Sequence, residues 1–468
     1  MSNSLFNYDD TIAALATPAG VGAIAVIRLS GAESFNIINK IFYSKKGKLI
    51  DISKKMPNTI HFGVIKDKDI ILDEVLISIF VAPHSYTGEN IVEISCHGSI
   101  FIQQQILNLL MANGARLANP GEFTLRAFLN NKLDLSQAEA VADLISSGSF
   151  AAHNVAIKQL KGGFSSEIKD LRDKLMGFAA LIELELDFSE EDVEFANRHD
   201  LKKLVNEIID KATKLINSFE AGNVIRNGIP VAIIGKPNAG KSTLLNVLLN
   251  EEKAIVSDIA GTTRDVIEDV ININGITFRF IDTAGIREAK DKIEAMGIER
   301  THIKISEAAV IFYIFDVNEM DDKMLQETVE ELESKTIPAK QKLLLIGNKI
   351  DDNKENDWQN KFTDSSIIFI SSKEKINIEA LINTLTEYVN SINIDLNTTI
   401  ITNARHAEAL NNTVMVLKKV LEGLNANISG ELVASDIRDA LYHLGLISGE
   451  VTTNDLLQTI FSRFCIGK

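Results

Sequence analysis

Four short apolar runs divide the middle of the chain, and each is followed by glycine-rich or polar residues. They occupy residues 230–234, 276–281, 343–347 and 367–370. Runs of four to six apolar residues are typical of strands buried in a parallel sheet. The first run leads through a glycine-rich segment into residues 243–249, whose apolar positions suit a helix packed on that sheet. The pattern therefore predicts a doubly wound α/β domain.

The first 132 residues follow a different pattern of strands, turns and short helices. Strand-like runs occupy residues 11–16, 23–29, 74–81 and 91–96, and a Thr-Pro-Ala-Gly-Val-Gly segment joins the first two. Its two glycines lack the rest of a dinucleotide fingerprint, so a turn is the better interpretation. Mixed elements of this kind predict an α+β domain.

Helical spacing begins near Leu133, continues to about Asn223, and returns from about residue 391 to residue 464. Ser136 with Glu139 has the sequence of a capping box. Because each helical half alone is strongly amphipathic, we expect the two halves to pack together as one domain interrupted by the nucleotide-binding domain. The expected boundaries are 1–132 for the N-terminal domain, 133–223 for the first helical segment, 224–390 for the inserted domain and 391–468 for the second helical segment.

Composition narrows the function classes. The 468 residues carry a formal net charge of −16 and a pI near 5.1, which argues against a broad basic surface for nucleic acid, so any RNA contact must use a local patch. Two cysteines, Cys96 and Cys465, exclude a disulfide framework and a Cys-x-x-Cys metal site. With no long apolar run and no signal-peptide layout, we expect a soluble, cytoplasmic protein.

The glycine-rich segment is Gly235-Lys236-Pro237-Asn238-Ala239-Gly240-Lys241-Ser242. In a strand–loop–helix context, its backbone N–H groups can surround phosphates, Lys241 can reach the terminal phosphates, and the Ser242 hydroxyl can bind Mg²⁺. An ordinary glycine-rich turn is the alternative, and the flanking strand and helix argue against it.

Three later motifs indicate which base is bound. Asp282-Thr283-Ala284-Gly285 can support Mg²⁺ and the γ-phosphate. Asn348-Lys349-Ile350-Asp351 places a carboxylate where guanine offers its ring N–H and exocyclic amine, a donor pair that adenine lacks. Ser371-Ser372-Lys373 completes the base pocket. These motifs resemble the translation-factor-like GTPases. The predicted GTP-binding residues are Asn238, Ala239, Gly240, Lys241, Ser242, Thr243, Ser257, Asp258, Ile259, Ala260, Gly261, Thr262, Thr263, Asp282, Thr283, Ala284, Gly285, Asn348, Lys349, Asp351, Ser371, Ser372 and Lys373.

Two positions raise separate questions. Ras-like proteins use a glutamine after the Asp-x-x-Gly motif to orient water, but Ile286 occupies that position here. The residues alone leave Arg287, Glu288 and Glu294 as candidates. Cys465 lies fourth from the end, but Gly467 and Lys468 do not suit a prenylation signal. A frayed tail is the ordinary expectation, whereas the apolar residues 460–464 favour a docked one.

The chain as a whole resembles the MnmE (TrmE) family of tRNA modification GTPases, which act on the wobble uridine. The matching segments extend from end to end and are residues 16–28, 85–89, 120–123, 126–130, 132–135, 137–140, 258–265 and 464–468. The resemblance implies an N-terminal folate-binding domain, which also forms the homodimer, and a helical domain interrupted by an inserted P-loop GTPase domain.

The resemblance also implies residue roles. Arg28, Glu93, Lys132 and Lys468 match the family's folate-contacting positions; taken alone, the first three would more often be strand-edge or solvated residues. Cys465 matches its functional cysteine, and Glu294 matches its water-activating glutamate. Four further residues match K⁺ ligands and two match Mg²⁺ ligands. The K⁺ positions are Asn238, Ser257, Ile259 and Thr262, and the Mg²⁺ positions are Ser242 and Thr263.

The implied reaction adds a carboxymethylaminomethyl or aminomethyl group at carbon 5 of the wobble uridine of tRNA. A tetrahydrofolate derivative, 5-formyl or methylene, supplies one carbon, and an FAD-dependent partner of the MnmG (GidA) type joins a heterotetramer or larger assembly. The K⁺ ion replaces an arginine finger as G domains pair. Ser257 departs from the family's usual threonine, so the K⁺ site depends on a backbone ligand there. Sequence leaves the amine donor open between ammonium and glycine.

Two other functions fit the nucleotide motifs. A ribosome-assembly GTPase would need an RNA-binding appendage, and the chain has no KH-type Gly-x-x-Gly loop in a suitable context. A nucleotide switch would recruit partners without chemistry beyond hydrolysis. Equilibrium binding of a reduced folate distinguishes both from a tRNA-modifying enzyme.

Overall fold

The computed structural model describes residues 10–187, 197–250, 269–281, 307–335, 341–352, 361–364, 366–391, 398–426 and 428–468. The chain divides into two compact units. Unit 1 combines three separate segments: Met1–Ile145, Ile157–Thr213 and Glu408–Lys468. Unit 2 comprises Ser146–Ala156 and Lys214–Ala407.

Unit 1 contains a seven-stranded sheet with the order β3-β4-β5-β6-β2-β1-β7. Neighbouring strands are antiparallel except β1 and β7, which are parallel. The strands are β1 Ile12–Leu15, β2 Ile24–Ser30, β3 Phe42–Tyr43, β4 Thr59–Asp67, β5 Ile70–Phe80, β6 Ile91–His97 and β7 Arg116–Leu117. Alternate residues such as Ala25, Ile27 and Leu29 enter a core with helices α1 (Ser34–Ile41) and α2 (Ile100–Ala112).

Further helices follow β7 in the described part of the first 230 residues. They are α3 Glu122–Leu129, α4 Leu135–Ser146, α5 Phe150–Leu160, α6 Gly163–Asp187 and α7 Arg198–Asn227. Three more lie near the C-terminus: α11 Ala404–Asn425, α12 Gly430–Ser448 and α13 Asn454–Phe461. Within unit 1, α6 packs against α12, and a buried cluster joins α3 and α4 to α13 through residues such as Leu125, Leu135 and Phe461. Helical segments from both ends of the chain therefore build one body.

The capping box predicted at Ser136 is wrong by two residues. Asp134 is the N-cap: its carbonyl accepts from the Ala138 N–H, and its carboxylate accepts from the Gln137 N–H at 2.9 Å. The Gln137 side chain accepts in return from the Asp134 N–H at 3.0 Å. Ser136 lies inside the helix and donates to Asp134, because an aspartate placed two residues earlier already satisfies the first turn.

Unit 2 is built on a six-stranded sheet with the order β13-β12-β11-β8-β10-β9. All neighbouring strands are parallel except the β9–β10 hairpin. Buried clusters lie on both faces: one includes residues of α8 and α10, and the other includes residues of α9. The elements are β8 Ile229–Ile234, α8 Lys241–Leu249, β9 Asp269–Ile273, β10 Ile276–Phe280, β11 Val310–Asp316, α9 Asp322–Lys335, β12 Lys342–Asn348, β13 Ile368–Phe369 and α10 Ile378–Ser391.

Helices on both faces of a mostly parallel sheet confirm the doubly wound prediction, and the discontinuous composition of unit 1 confirms an inserted domain. The four numerical boundaries predicted from sequence stay predictions. No helix within the described ranges has the length and apolar character needed to cross a membrane.

Candidate functional site

The phosphate loop of unit 2 follows the carboxyl end of β8 and ends at the first turn of α8. Gly235 has φ +150°, and a Cβ there would lie 2.0 Å from the Ile314 carbonyl oxygen. Gly240 has φ +101°, and its added Cβ would lie 2.1 Å from Asn348 Nδ2. Both positions therefore require glycine, because neighbouring strands approach the loop closely. Ser242 and Thr243 lie at the helix N-terminus, where unpaired N–H groups favour an anion.

Lys241 crosses this loop. Its Nζ donates to the carbonyl oxygens of Gly235 at 2.7 Å and Lys236 at 2.8 Å. These contacts hold the Lys241 ammonium group beside the loop backbone that is predicted to surround the phosphates. A phosphate oxygen could therefore replace these carbonyl oxygens as the partner of Lys241 without a large movement of the side chain.

Asn348 connects the phosphate loop to the base pocket. Its Nδ2 donates to the Ala239 carbonyl at 2.8 Å, and its Oδ1 accepts from the Ser372 N–H at 2.9 Å. Ser371 Oγ donates to the Asp351 carboxylate and also accepts from the Glu374 N–H at 3.1 Å. Three separated motifs thus meet at one edge of the sheet, as the order of strands requires.

Asp316 lies beside the predicted base-binding motif, and sequence reasoning missed it. It ends β11 directly beside Asn348 in the parallel register, and its Oδ2 lies 2.7 Å from Lys349 Nζ. Burial alone would raise the pKa of Asp316, but the Lys349 and Asn318 contacts outweigh it and hold that pKa below its usual value. The available signal was a carboxylate at the end of the apolar run 310–315.

A second cluster lies in unit 1, where Arg28 and Glu93 face each other across β2 and β6. Arg28 Nε and Nη2 donate to Glu93 Oε1 at 2.9 and 2.8 Å. The guanidinium carbon also lies 5.4 Å from the ring centroid of Tyr86 and 5.6 Å from that of Phe123. Arg28 and Glu93 thus form a half-buried ion pair, and the guanidinium packs against two aromatic rings.

The C-terminal tail reaches this cluster. The Gly467 carbonyl accepts from Arg28 Nη1 at 3.4 Å, and a Lys468 oxygen accepts from the Phe123 N–H at 3.2 Å. Gly467 has φ +94°, and a Cβ there would lie 2.2 Å from the Leu15 carbonyl oxygen. The tail is therefore docked rather than frayed, and its close approach to β1 depends on glycine.

The two cysteines differ in environment. Cys465 is exposed, and its carbonyl accepts from the Gly121 N–H at 3.4 Å. A hydrogen bond therefore holds the backbone that bears this thiol. Cys96 is buried, and burial raises the pKa of its thiol to about 11. Cys96 is accordingly the unreactive thiol of the pair at neutral pH.

Comparisons with known proteins match nearly the whole chain to one family. The family model described as MnmE helical domain matches residues 135–465, and that described as GTP-binding protein TrmE N-terminus matches residues 11–132. A protein of Cytophaga hutchinsonii called tRNA modification GTPase MnmE is 53% identical over 467 residues, covering 100% of both chains. The chain belongs to the MnmE family of tRNA modification GTPases.

Other relatives of the MnmE family match over nearly their full length. A protein of Flavobacterium psychrophilum with the same name is 54% identical over 464 residues, covering 98% of this chain and 100% of the relative. One from Bacteroides fragilis is 52% identical over 470 residues, covering 98% and 99%. The resemblance inferred from short segments is thereby confirmed for the whole chain.

The MnmE-like segment at residues 120–130 also contains a buried ionic network that sequence reasoning did not assign. Arg126 and Glu122 are each 1% exposed and lie 3.1 Å apart. Arg126 also contacts Asp10 at 2.7 Å and Glu89 at 3.1 Å, and Arg116 contacts Glu122 at 2.7 Å. Glu89 in turn accepts from Ser30 Oγ at 2.7 Å, two residues beyond Arg28. The network therefore supports the strand that carries the Arg28–Glu93 cluster.

The structure brings together Arg28, Glu93 and the tail that carries Cys465 and Lys468. Lys132 is exposed and lies beside Gly88. Asn238 and Lys373 are exposed. The other predicted residues of this MnmE-family chain lie outside the described ranges. They are Ser257, Asp258, Ile259, Ala260, Gly261, Thr262, Thr263, Asp282, Thr283, Ala284, Gly285 and Glu294.

Proposed function

We propose that this chain hydrolyses GTP in unit 2 and uses that cycle to drive modification of the tRNA wobble uridine by unit 1. Support for the nucleotide comes from Asn348, which holds the phosphate loop and the Ser371–Ser372 loop together. Asp351 supplies the carboxylate that guanine's two donors require. Asp316 forms an ion pair with Lys349 and so stabilises the same edge of the unit 2 sheet.

Two metal ions complete the proposed G domain. The Ser242 hydroxyl at the start of α8 is an oxygen donor of the kind Mg²⁺ prefers, with Thr263 as its proposed second protein ligand. Asn238 is exposed in the loop at φ 64° and would hold K⁺ with Ser257, Ile259 and Thr262. The cations would neutralise charge that develops on the phosphates, while Glu294 would activate water.

The single observation that carries the folate assignment is the convergence of Arg28, Glu93 and the C-terminal tail. Because Arg28 and Glu93 are in contact, both would meet the same end of a tetrahydrofolate derivative. The guanidinium suits acceptors of the pterin ring, and the Glu93 carboxylate suits its N–H donors. Both contacts between Arg28 and Glu93 use Glu93 Oε1, so Oε2 stays open within the described ranges of the chain. Lys132 and Lys468 would add positive charge, and Cys465 would take part in the chemistry near the folate.

The assembly is part of the same proposal and rests on the resemblance to the family. In this proposal the chain forms a homodimer and works in the cytoplasm with an FAD-dependent partner of the MnmG type on tRNA. The folate would supply one carbon for the aminomethyl or carboxymethylaminomethyl group at carbon 5. Nucleotide state can influence that chemistry only through contacts that differ between the states, and residues 257–265 with the Glu294 segment would supply them.

Binding of 5-formyltetrahydrofolate to the purified full-length chain tests the folate site. Arg28→Ala and deletion of Lys468 should each weaken binding at least about tenfold, because each removes a cationic partner of the folate. Arg438→Ala is the matched control, since it removes an exposed arginine of unit 1 that pairs with Glu183 and not with the Arg28–Glu93 cluster. Binding that is unchanged by both site variants contradicts the assignment.

Coupling is tested separately with Glu294→Ala. The variant should retain GTP binding but lose both turnover and tRNA modification. Nucleoside analysis of tRNA from cells that carry only the variant measures the second effect. Normal wobble modification without hydrolysis would refute the coupling while leaving the folate site intact.

A further inference from the structure

One edge of the unit 1 sheet is rich in lysine, although the chain as a whole is acidic. From Tyr43 to Lys66 inclusive there are six lysines, no arginine and one acidic residue, Asp51, although the whole chain carries a net charge of −16. We call these six side chains the lysine edge: Lys45, Lys46, Lys48, Lys54, Lys55 and Lys66. The first three follow β3, which is one of the two edge strands of the sheet. Lys54 and Lys55 lie at the end of a short 3-10 helix, and Lys66 lies on β4.

The backbone that carries the lysine edge is fixed. Ser44 N–H donates to the Lys48 carbonyl at 2.7 Å and Ile50 N–H donates to the Phe42 carbonyl at 3.0 Å, which closes the turn holding three lysines. Asn39 of α1 donates to Asp51 at 3.0 Å and accepts from the Ile52 N–H at 2.8 Å. This holds the short 3-10 helix Ile52–Lys54 beside the turn.

Aromatic rings position two of the ammonium groups. Lys45 Nζ lies 4.7 Å from the ring centroid of Phe62, and Lys66 Nζ lies 5.3 Å from that of Tyr43. The positions are thus defined by β3 and β4 rather than by flexible chain ends.

Few acidic groups neutralise the edge. Lys45 pairs with Glu74 at 3.2 Å and Lys54 with Asp51 at 3.1 Å, and all four of these side chains are exposed. Such exposed pairs are weak and exchange readily for another anion. Among the residues that the structure describes, Lys46, Lys48 and Lys55 are exposed and form no ion pair. An anionic partner would find three unpaired ammonium groups and two more that are easily released.

We propose that the lysine edge binds the phosphate backbone of tRNA, an inference that rests on the proposed function because tRNA is its substrate. A protein with a large negative charge repels a polyanion unless one region has the opposite sign. Lysine binds phosphate as a compact point charge without a fixed planar geometry, which suits contacts that follow an RNA backbone. Backbone contacts of this kind position the RNA without reading its sequence.

The test compares two triple variants of the full-length protein with equal changes in net charge. Lys46→Gln/Lys48→Gln/Lys55→Gln removes the three unpaired lysines of the edge. Lys203→Gln/Lys418→Gln/Lys419→Gln removes three lysines of helices α7 and α11 in the same unit. Binding of an unmodified tRNA transcript is measured from about 50 to about 200 mM salt, together with thermal unfolding followed by circular dichroism as a check on folding.

For the edge variant we expect a logarithmic salt slope shallower by about 2 and tRNA binding at least about tenfold weaker at low salt, because released counterions scale with phosphate contacts. The control variant should match the wild type in tRNA binding, and the thermal unfolding curves should be the same for all three proteins. Equal loss in both variants, or no loss in the edge variant, overturns the inference. Loss of binding to anionic lipid vesicles without loss of tRNA binding would assign the edge to a membrane instead, which also overturns it.

The outcome is separable from the proposed function. Wild-type binding to tRNA together with unchanged binding by the edge variant refutes only the lysine edge. Unchanged wobble nucleosides in cells that lack the protein refute the proposed function itself.

Discussion

At the scale of single residues, burial decides what a charge contributes to this protein. Arg126 and Arg438 donate to carboxylates at nearly equal distances, 2.7 Å to Asp10 and 2.8 Å to Glu183. Arg126 is 1% exposed and Arg438 is 55% exposed. Water can replace the partner of Arg438 but has little access to the guanidinium of Arg126. The two arginines therefore contribute differently to the free energy of unfolding, although their ion pairs have similar lengths.

Arg126→Met should lower the free energy of unfolding of unit 1 by about 3 to 5 kcal/mol, because Glu122 would be left as a buried carboxylate with one fewer cation. Arg438→Met is the matched control and should cost less than about 1 kcal/mol. Urea unfolding followed by circular dichroism measures both. Equal losses would contradict the role assigned to burial.

The same network predicts a dependence on acid. Burial alone would raise the pKa of Glu122 and of Asp10, but the hydrogen bonds from Arg116 and their other partners hold both pKa values below the usual range. The folded state thus binds fewer protons than the unfolded state. The stabilisation is complete above the unfolded pKa values of about 4 and is lost as the pH falls through the lowered folded values.

Thermal unfolding of the wild type from about pH 6 to about pH 3, which spans the titration of ordinary carboxyl groups, measures this loss. Arg126→Met serves as the comparison, because removing a cation brings both carboxyl pKa values back towards normal. The variant should lose less stability on acidification than the wild type. Parallel curves for the two proteins would exclude the network as the source.

At the scale of elements, the C-terminal tail is held by backbone geometry. Gly467 lies so close to the Leu15 carbonyl that any side chain must move the tail. The final residues also carry the carbonyls that meet Arg28 and Phe123. Docking of the last helix and the tail thus completes the Arg28–Glu93 cluster.

Gly467→Ala should release the tail, because the alanine Cβ meets the Leu15 carbonyl and a left-handed φ is strained for alanine. Trimming by a carboxypeptidase should become at least about tenfold faster, since backbone that leaves its site is open to proteases. Gly177→Ala in α6, where a Cβ meets nothing within 4 Å, is the control and should leave trimming unchanged. Equal trimming of both variants would contradict a docked tail.

How far the sequence predicts an element depends on whether its pattern matches its environment. The runs behind β8 and β12 were predicted because buried parallel strands are apolar on both faces. β4 was missed because its pattern is inverted: Ile60 is 66% and Phe62 49% exposed, while Gly63 occupies a buried position. Asp316 and Arg126 were missed for a related reason, since only tertiary pairing distinguishes a buried charge from a solvated one.

At the scale of the whole molecule, unit 1 depends on both ends of the chain. Arg28 and the Gly467 carbonyl that it contacts are 439 positions apart in sequence. Between those ends the chain makes a separate doubly wound unit with its own buried clusters. The family resemblance gave the folate positions, whereas the contact between Arg28 and the tail appears only in three dimensions. Such an arrangement places the proposed nucleotide and folate sites in different units of one chain.

The most direct test of the central claim, that a guanine nucleotide cycle in unit 2 drives tRNA modification, is the nucleotide requirement of modification in an extract that lacks the native protein. Asp351→Asn replaces a double acceptor by one donor and one acceptor, which suits xanthine and not guanine. We predict that wild-type protein restores wobble modification with GTP only and that the variant restores it with XTP only. Modification that proceeds equally with either nucleotide, or with none, would contradict the account.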